Sequence, residues 1–213
     1  MYKHLYDLFE HWFNQDKGQV FFYSDPHFGD EEMKYLRHNY IGDDEQVASI
    51  NKRIGKYDTI VILGDIGDIE FIKKIRGRKI LIKGNHDAGA SNYQREVITY
   101  TPEQYCELPE EIQKQCKRYP NLAYGAIYRY DNKLFDEVYE GPLFISDKIL
   151  LSHEPINYPY ALNIHGHDHS NWSGGFGKKN VCAELINYTP ISLKDIISTG
   201  ILKQIPDIHR AGR

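Results

Sequence analysis

Arg78-Lys79-Ile80-Leu81-Ile82-Lys83-Gly84-Asn85-His86-Asp87 runs from an apolar segment of strand length into a glycine and three polar side chains. Open α/β sheets hold their ligands in loops of this kind, at the carboxyl ends of strands. Asn offers a neutral carbonyl oxygen, His an imidazole, and Asp a carboxylate able to accept the other imidazole N–H. Alone, the stretch also suits a Gly-Asn turn, because Asn and Asp tolerate left-handed backbone. The neighbouring segments decide between the two. Thr59-Ile60-Val61-Ile62-Leu63 is a continuous apolar, largely β-branched run, the pattern of a strand buried on both faces, and it ends in Gly64-Asp65-Ile66-Gly67-Asp68. Gln19 to Ser24 is the first strand and gives way to Asp25-Pro26-His27, where Pro26 lacks the N–H that a ladder requires. A short helix from Ile69 to Ile75 leads into the strand of the opening stretch. Strand, acidic loop, helix and strand make a βαβ layout.

Downstream the pattern repeats with histidines. Phe135 to Tyr139, Pro142 to Ile145 and Ile149 to Ser152 read as strands of a second sheet, the last followed by His153. Ala161 to Ile164 ends in His165-Gly166-His167-Asp168-His169, and Asn180 to Leu185 reads as a final core strand. Asp25, His27, Asp65, Asn85, His153, His167 and His169 thus each follow a predicted strand, and loops at the ends of adjacent strands converge. Imidazoles mixed with carboxylates suit borderline divalent metals such as Zn, Fe or Mn, whereas calcium favours more oxygen. This set exceeds what one tetrahedral ion uses. Two ions bridged by one carboxylate, about 3.5–4 Å apart, is the natural reading. Such a centre attracts phosphate and stabilises the charge of a phosphoryl transition state.

The remaining segments set bounds. A chain of 213 residues is expected to be a single domain with a substantial core, with a lid or insertion within 88–148. The net charge of -4 gives no global basic footprint for nucleic acid. No run is long and apolar enough for a membrane span, and the first residues lack a signal peptide's apolar core, so a cytoplasmic protein is expected. Tyr2 to Asn14 has the spacing of a docked amphipathic helix. Asp30 to Asn39 and Asp43 to Lys56 read as helices, with Asp43 as an N-cap, and Ser192 caps a helix through Ile197. Thr101-Pro102-Glu103 starts a helix that can run to Arg118. On such a helix Cys106 and Cys116 stand about 15 Å apart, too far for a disulfide, so these and Cys182 are read as reduced. Asn121 to Lys133 combines Tyr124, Tyr128 and Tyr130 with Arg129, and is expected to cover substrate, Tyr128 by stacking and Arg129 by pairing with phosphate. His4, His11, His38 and His209 are read as surface residues and His165 as a support for its neighbours.

Asp25-x-His27, Gly64-Asp65-x-x-Asp68, Gly84-Asn85-His86-Asp87, His153 and Gly166-His167-x-His169, in that order, resemble the calcineurin-like metallophosphoesterase superfamily. Asn180-Val181-Cys182-Ala183-Glu184 through Asn187-Tyr188-Thr189-Pro190-Ile191 resembles its small bacterial and phage-type members. The resemblance implies an α/β fold, an αββα sandwich of two mixed sheets flanked by helices, with a dinuclear centre at the strand ends. It implies that Asp25, His27, Asp65 and His169 hold one ion and Asp65, Asn85, His153 and His167 the other, Asp65 bridging. His86 would protonate the leaving group, Asp87 would orient His86, and Asp68 would stand behind the ligands. The implied activity is hydrolysis of a phosphate ester, diester before monoester, by in-line attack of a metal-bridging hydroxide. Mn²⁺ is the first expectation, Zn²⁺ or Fe the next. A nuclease and a non-catalytic scaffold of the same fold are the alternatives. Glu154 after His153, and Asp168 between the paired histidines, add negative charge that disfavours highly anionic substrates.

Overall fold

Strands without an exposed face form the middle of the fold. A computed structural model describes residues 5–13, 17–87, 102–110, 113–114, 134–170, 172 and 174–207, and the backbone alone over 95–100, 111–112, 117–118 and 125–130. It divides the chain into two compact units, residues 1–89 with 134–213, and residues 90–133. In the first unit β1 (Val20–Tyr23) and β2 (Thr59–Ile62) are buried throughout, and β3 (Arg78–Ile82) over its last three residues. These strands pair in parallel, with Phe21 opposite Ile60 and Val61 opposite Ile80. β7 (Glu137–Tyr139) adds in parallel beside β3, and β12 (Ile191–Ser192) adds antiparallel beside β1. The sheet order is β12-β1-β2-β3-β7. A second sheet has the order β11-β10-β9-β8, from β8 (Leu143–Ser146), β9 (Ile149–Leu151), β10 (Leu162–His165) and β11 (Lys178–Asn180). Its three strands β9, β10 and β11 are parallel and β8 is antiparallel. Both sheets are mixed and flanked by helices, so the unit is a layered α/β sandwich.

The helices follow from their sequences. In α2 (Asp43–Arg53), Val47 and Ile50 lie on one buried face that Ile54 continues. Its acidic first turn and basic last turn complement the helix dipole. Gly42, with φ 92°, occupies the N-cap; Asp43 is the first helical residue and its carboxylate instead accepts from Gly29 N–H and Tyr40 O–H. Asp68 caps α3 (Ile69–Lys74), and Ser192 caps α6 (Leu193–Ser198) as the sequence implies. Short helices α1 (Met33–Leu36) and α7 (Ile201–Gln204) complete the unit, with a 3-10 helix, Asp7–Trp12, that buries Phe9 and Trp12.

Several boundaries differ from the sequence reading. The segment 102–118 is not one helix: α4 (Pro102–Glu107) and α5 (Glu110–Gln113) are separate, because Pro109 supplies no N–H and disfavours helix at Leu108. Those helices lie between β4 (Arg95–Tyr100) and β5 (Lys117–Arg118), which with β6 (Gly125–Tyr130) form a small antiparallel sheet in the order β4-β6-β5. β7 joins the first sheet, not the second, since Glu137 pairs with Ile80. The segment from Asn180 is not a strand through Leu185; β11 ends at Asn180 and a 3-10 helix, Ala183–Ile186, follows. Cys182 is buried and Cys106 exposed, both free, while Cys116 lies outside the described residues. No helix among the described residues is long and apolar enough to cross a membrane.

Candidate metal centre

Parallel β1, β2 and β3 deliver Asp25, His27, Asp65 and Asn85 to one edge, and β9 and β10 deliver His153, His167 and His169. The loops are cross-linked: Asp25 N–H donates to Gly64 O, His27 N–H to Asp65 O, Gly166 N–H to His153 O, and Ala183 N–H to Ser24 O. These bonds hold backbone that would otherwise relax. Asp25 (φ 54°), His27 (47°), Asp65 (52°) and His167 (66°) all sit in the left-handed region. Each such residue costs roughly 1–3 kcal/mol and persists only where its surroundings over-determine it. Four of the candidate ligands carry this strain. Gly166 is required by close approach: a Cβ there would lie 1.9 Å from Ser24 Oγ and 2.2 Å from Asp25 Oδ2. Gly64, with φ 95°, would place a Cβ 2.5 Å from His153 Nδ1.

The candidate ligands meet with their acceptor atoms facing one another. His153 Nδ1 is 2.7 Å from the Leu63 carbonyl, which accepts its proton and leaves Nε2 proton-free in the neutral ring. That Nε2 is 2.8 Å from Asn85 Oδ1, 3.1 Å from His167 Nδ1 and 3.4 Å from Asp65 Oδ2. His167 Nδ1 is in turn 3.1 Å from Asn85 Oδ1. Ligands about 2.1 Å from one ion stand roughly 3.0–3.4 Å from each other. The spacing fits a coordination sphere. His27 Nε2 lies 3.7 Å from Asp65 Oδ2 and 3.8 Å from Asp25 Oδ1; His169 Nε2 lies 3.6 Å from the same Asp25 oxygen. This second group is slightly wider, and it shares Asp65 Oδ2 with the first. Asp25, His27 and Asp65 form one group able to hold a metal ion, and Asp65, His153 and His167 another.

Both carboxylates have one oxygen anchored and one spare. Asp25 Oδ2 accepts from Ser24 Oγ (2.5 Å), His167 N–H (2.8 Å) and Cys182 Sγ (3.3 Å), while the buried Oδ1 has no hydrogen-bond donor. Asp65 Oδ1 accepts from His86 N–H at 3.0 Å, leaving Oδ2 among the imidazoles. The buried Nε2 of His27 also lacks a hydrogen-bond partner. Orphaned buried polar atoms are rare and call for an explanation. An electron-rich set aimed at common points fits divalent cations. Titration follows the same field. Burial opposes charge on His153, but the Asp65 and Asp25 carboxylates and the Leu63 carbonyl outweigh it and hold its pKa up at about 9, so a proton and a cation compete for Nε2. Burial also opposes ionisation of Asp65, yet the His153 bond and the His86 amide bring its pKa below the ordinary value. Burial dominates at His27 and lowers its pKa.

His86 is exposed at the rim; its Nε2 is 4.0 Å from Asp65 Oδ2 and its ring packs edge-on against His27 at 5.5 Å. Asp87 does not orient it. Asp87 is fully buried, and its oxygens accept the backbone N–H groups of Asp65 (2.8 Å), Gly84 (2.8 Å) and Ile66 (3.2 Å). It therefore fixes the loop that carries Asp65. Asp68 is an exposed helix cap, not a support behind the ligands. His165 is wholly buried, 2.8 Å from Gly166 O through Nδ1. His11 and His38 are exposed, as read; His4 and His209 lie outside the described residues. So do the side chains of Tyr128 and Arg129, and most of Asn121 to Lys133. Sequence reasoning missed Arg37, a buried guanidinium whose Nη2 donates to Asp25 O at 2.7 Å, and the use of Glu184 and Cys182 beside the ligands.

No family model matches the chain, and no curated protein matches it. Among solved structures, a protein of unknown function from Aquifex aeolicus, AQ665, is similar at 24% identity with a TM-score of 0.57, covering 86% of this chain and 100% of its own. That likeness supports the fold alone. A second structure, nuclease MPE from Pseudomonas putida, aligns at 17% identity and a TM-score of 0.40, covering 70% of this chain and 61% of its own.

Proposed function

We propose that the chain is a dinuclear metal-dependent phosphoesterase of the calcineurin-like metallophosphoesterase type, cleaving a phosphodiester in preference to a monoester. One observation carries the reading: Asp65 Oδ2 lies among the imidazoles of His27, His153 and His86, at 3.7, 3.4 and 4.0 Å. A carboxylate oxygen shared by two groups of acceptor atoms is the natural bridge between two cations. Asp25, His27 and His169 would hold one ion with Asp65; Asn85, His153 and His167 would hold the other. Divalent ions of the Mn²⁺, Zn²⁺ or Fe type supply Lewis acidity and lower the pKa of coordinated water.

The chain's own residues supply the rest. Asp87 keeps the Asp65 and Gly84 backbones in place, so the bridging oxygen does not drift. His86, exposed beside Asp65, reaches a leaving-group oxygen from the solvent side and donates a proton to it. Exposed Glu154 and the Asp168 next to His167 repel a dianionic monoester more than a monoanionic diester. The test is a screen of protein reconstituted with Mn²⁺, Zn²⁺ or Fe²⁺ against nitrophenyl mono- and diesters, cyclic nucleotides and DNA. Turnover of diesters ahead of monoesters is expected. Turnover of DNA alone favours the nuclease reading, and bound metal without turnover of any ester favours a non-catalytic scaffold.

A further inference from the structure

One candidate ligand is held by an ionic chain that the proposed chemistry does not itself use. Glu184 Oε1 lies 2.5 Å from His169 Nδ1 and accepts its proton. Its other oxygen, buried and without a hydrogen bond, pairs with Arg37 Nε at 3.5 Å. The Arg37 guanidinium is buried too, and its Nη2 donates to the Asp25 carbonyl at 2.7 Å. Asn39 Nδ2 bonds the Glu184 carbonyl at 3.1 Å and fixes the 3-10 turn that carries the residue. One guanidinium thus restrains two candidate ligands of the same ion, Asp25 through its backbone and His169 through Glu184. His153 differs: a neutral backbone carbonyl, Leu63 O, takes its Nδ1 proton.

We propose that Glu184 and Arg37 are positioning residues for the Asp25–His27–His169 ion, and that the two ion sites are tuned separately by this difference. Glu184 fixes the His169 tautomer with the proton on Nδ1, so that Nε2 faces the ion. Its negative charge raises the ring's basicity, and Arg37 keeps that charge from the solvent-facing rotamers an unpaired glutamate would adopt. Partners of this kind typically govern metal affinity by 10–100-fold. The inference rests on the dinuclear reading, and its test separates the two.

Apo-protein is titrated with Mn²⁺ by calorimetry, for wild type, Glu184→Ala and Glu184→Gln. Two binding steps are expected for wild type. Glu184→Ala should weaken one step by roughly 10–100-fold and leave the other nearly unchanged. Glu184→Gln, which can still accept the Nδ1 proton but has no charge, should recover part of the loss. The amide is nearly isosteric, so a folding defect in the alanine variant does not end the test. Two wild-type steps with both variants unaltered would overturn the positioning role alone. Wild-type protein that takes up no Mn²⁺ would overturn the dinuclear reading, and the positioning role with it. Both steps weakened equally would show that Glu184 supports the fold and not one ion.

Discussion

Two carboxylate clusters, at different places on the first sheet, show what separates a structural charge from a candidate ligand. Glu137, near the start of β7, is saturated. Its Oε1 is 2.6 Å from both His11 Nε2 and Arg78 Nη2; its Oε2 accepts from Trp12 Nε1 (3.0 Å) and Tyr139 O–H (2.6 Å). At the carboxyl edge, Asp25 Oδ1 has no hydrogen-bond donor, and the neighbours of Asp65 Oδ2 are imidazole nitrogens, His153 at 3.4 Å, His27 at 3.7 Å and His86 at 4.0 Å. Both clusters mix histidine with carboxylate. In one every lone pair has a proton to accept; in the other the lone pairs converge. The backbone repeats the contrast, since left-handed residues gather at the edge and none lies in the Glu137 cluster. Satisfied polar groups stabilise a fold, while spare ones must be held apart by the rest of the structure.

The largest effect should come from breaking the shared oxygen. If Asp65 bridges two ions as proposed, Asp65→Asn should lower turnover of every substrate by more than about 10³-fold, with metal uptake falling below that of wild type. Steady-state kinetics beside metal analysis checks both parts. Near-normal turnover would return Asp65 to the structural class that Glu137 represents.

Next is His86→Ala, which on the proposed reading removes a proton donor and no ligand. It should cost about 10²-fold or more on an alkyl or nucleoside ester and much less on a nitrophenyl ester, whose leaving group is a weak base. Metal content should hold. Equal losses on both leaving groups, with chemistry rate-limiting, would count against the general-acid role. Loss of metal would make His86 a ligand.

Glu137→Gln sharpens the comparison from the other side. It should destabilise the protein by about 1–3 kcal/mol, read from urea midpoints, and leave metal stoichiometry unchanged. Burial opposes ionisation of Glu137, but the bonds from Tyr139, Trp12, His11 and Arg78 bring its pKa down from 4.5 to about 2. A depressed pKa means the unfolded state takes up the proton first. The Glu137 contribution is therefore complete above about pH 4.5 and is lost as pH falls toward 2. The stability gap between wild type and Glu137→Gln should close over that window. A constant gap would mean that Glu137 acts through packing.

Much of the edge was legible in the sequence because local chemistry set it. Fully buried parallel strands read as apolar runs, and each run stops at a residue able to bind a cation. Proximity within the motifs survived as well: Asp25 with His27, and His167 close to Asn85 and His153. Roles set by distant partners were not legible. Asp87 adjoins His86 in the chain but is taken by the amides of Asp65, Ile66 and Gly84, a choice made by how two loops pack. Arg37 and Glu184 are far apart in sequence and meet only after β1 and the segment beyond β11 are brought together. A buried arginine carries no local signature. Strand assignment failed where pairing, not composition, decided: Glu137 to Tyr139 suits either sheet until β3 accepts it.

Counting the ions tests the shared carboxylate most directly. Apo-protein is dialysed to equilibrium against excess Mn²⁺, the metal per chain is measured, and the low-temperature electron paramagnetic resonance spectrum is recorded. About two Mn²⁺ per chain, with the spin coupling of a pair about 3.5–4 Å apart, is expected if Asp65 bridges two ions. One ion per chain at saturation with full activity, or two ions without coupling, would contradict it.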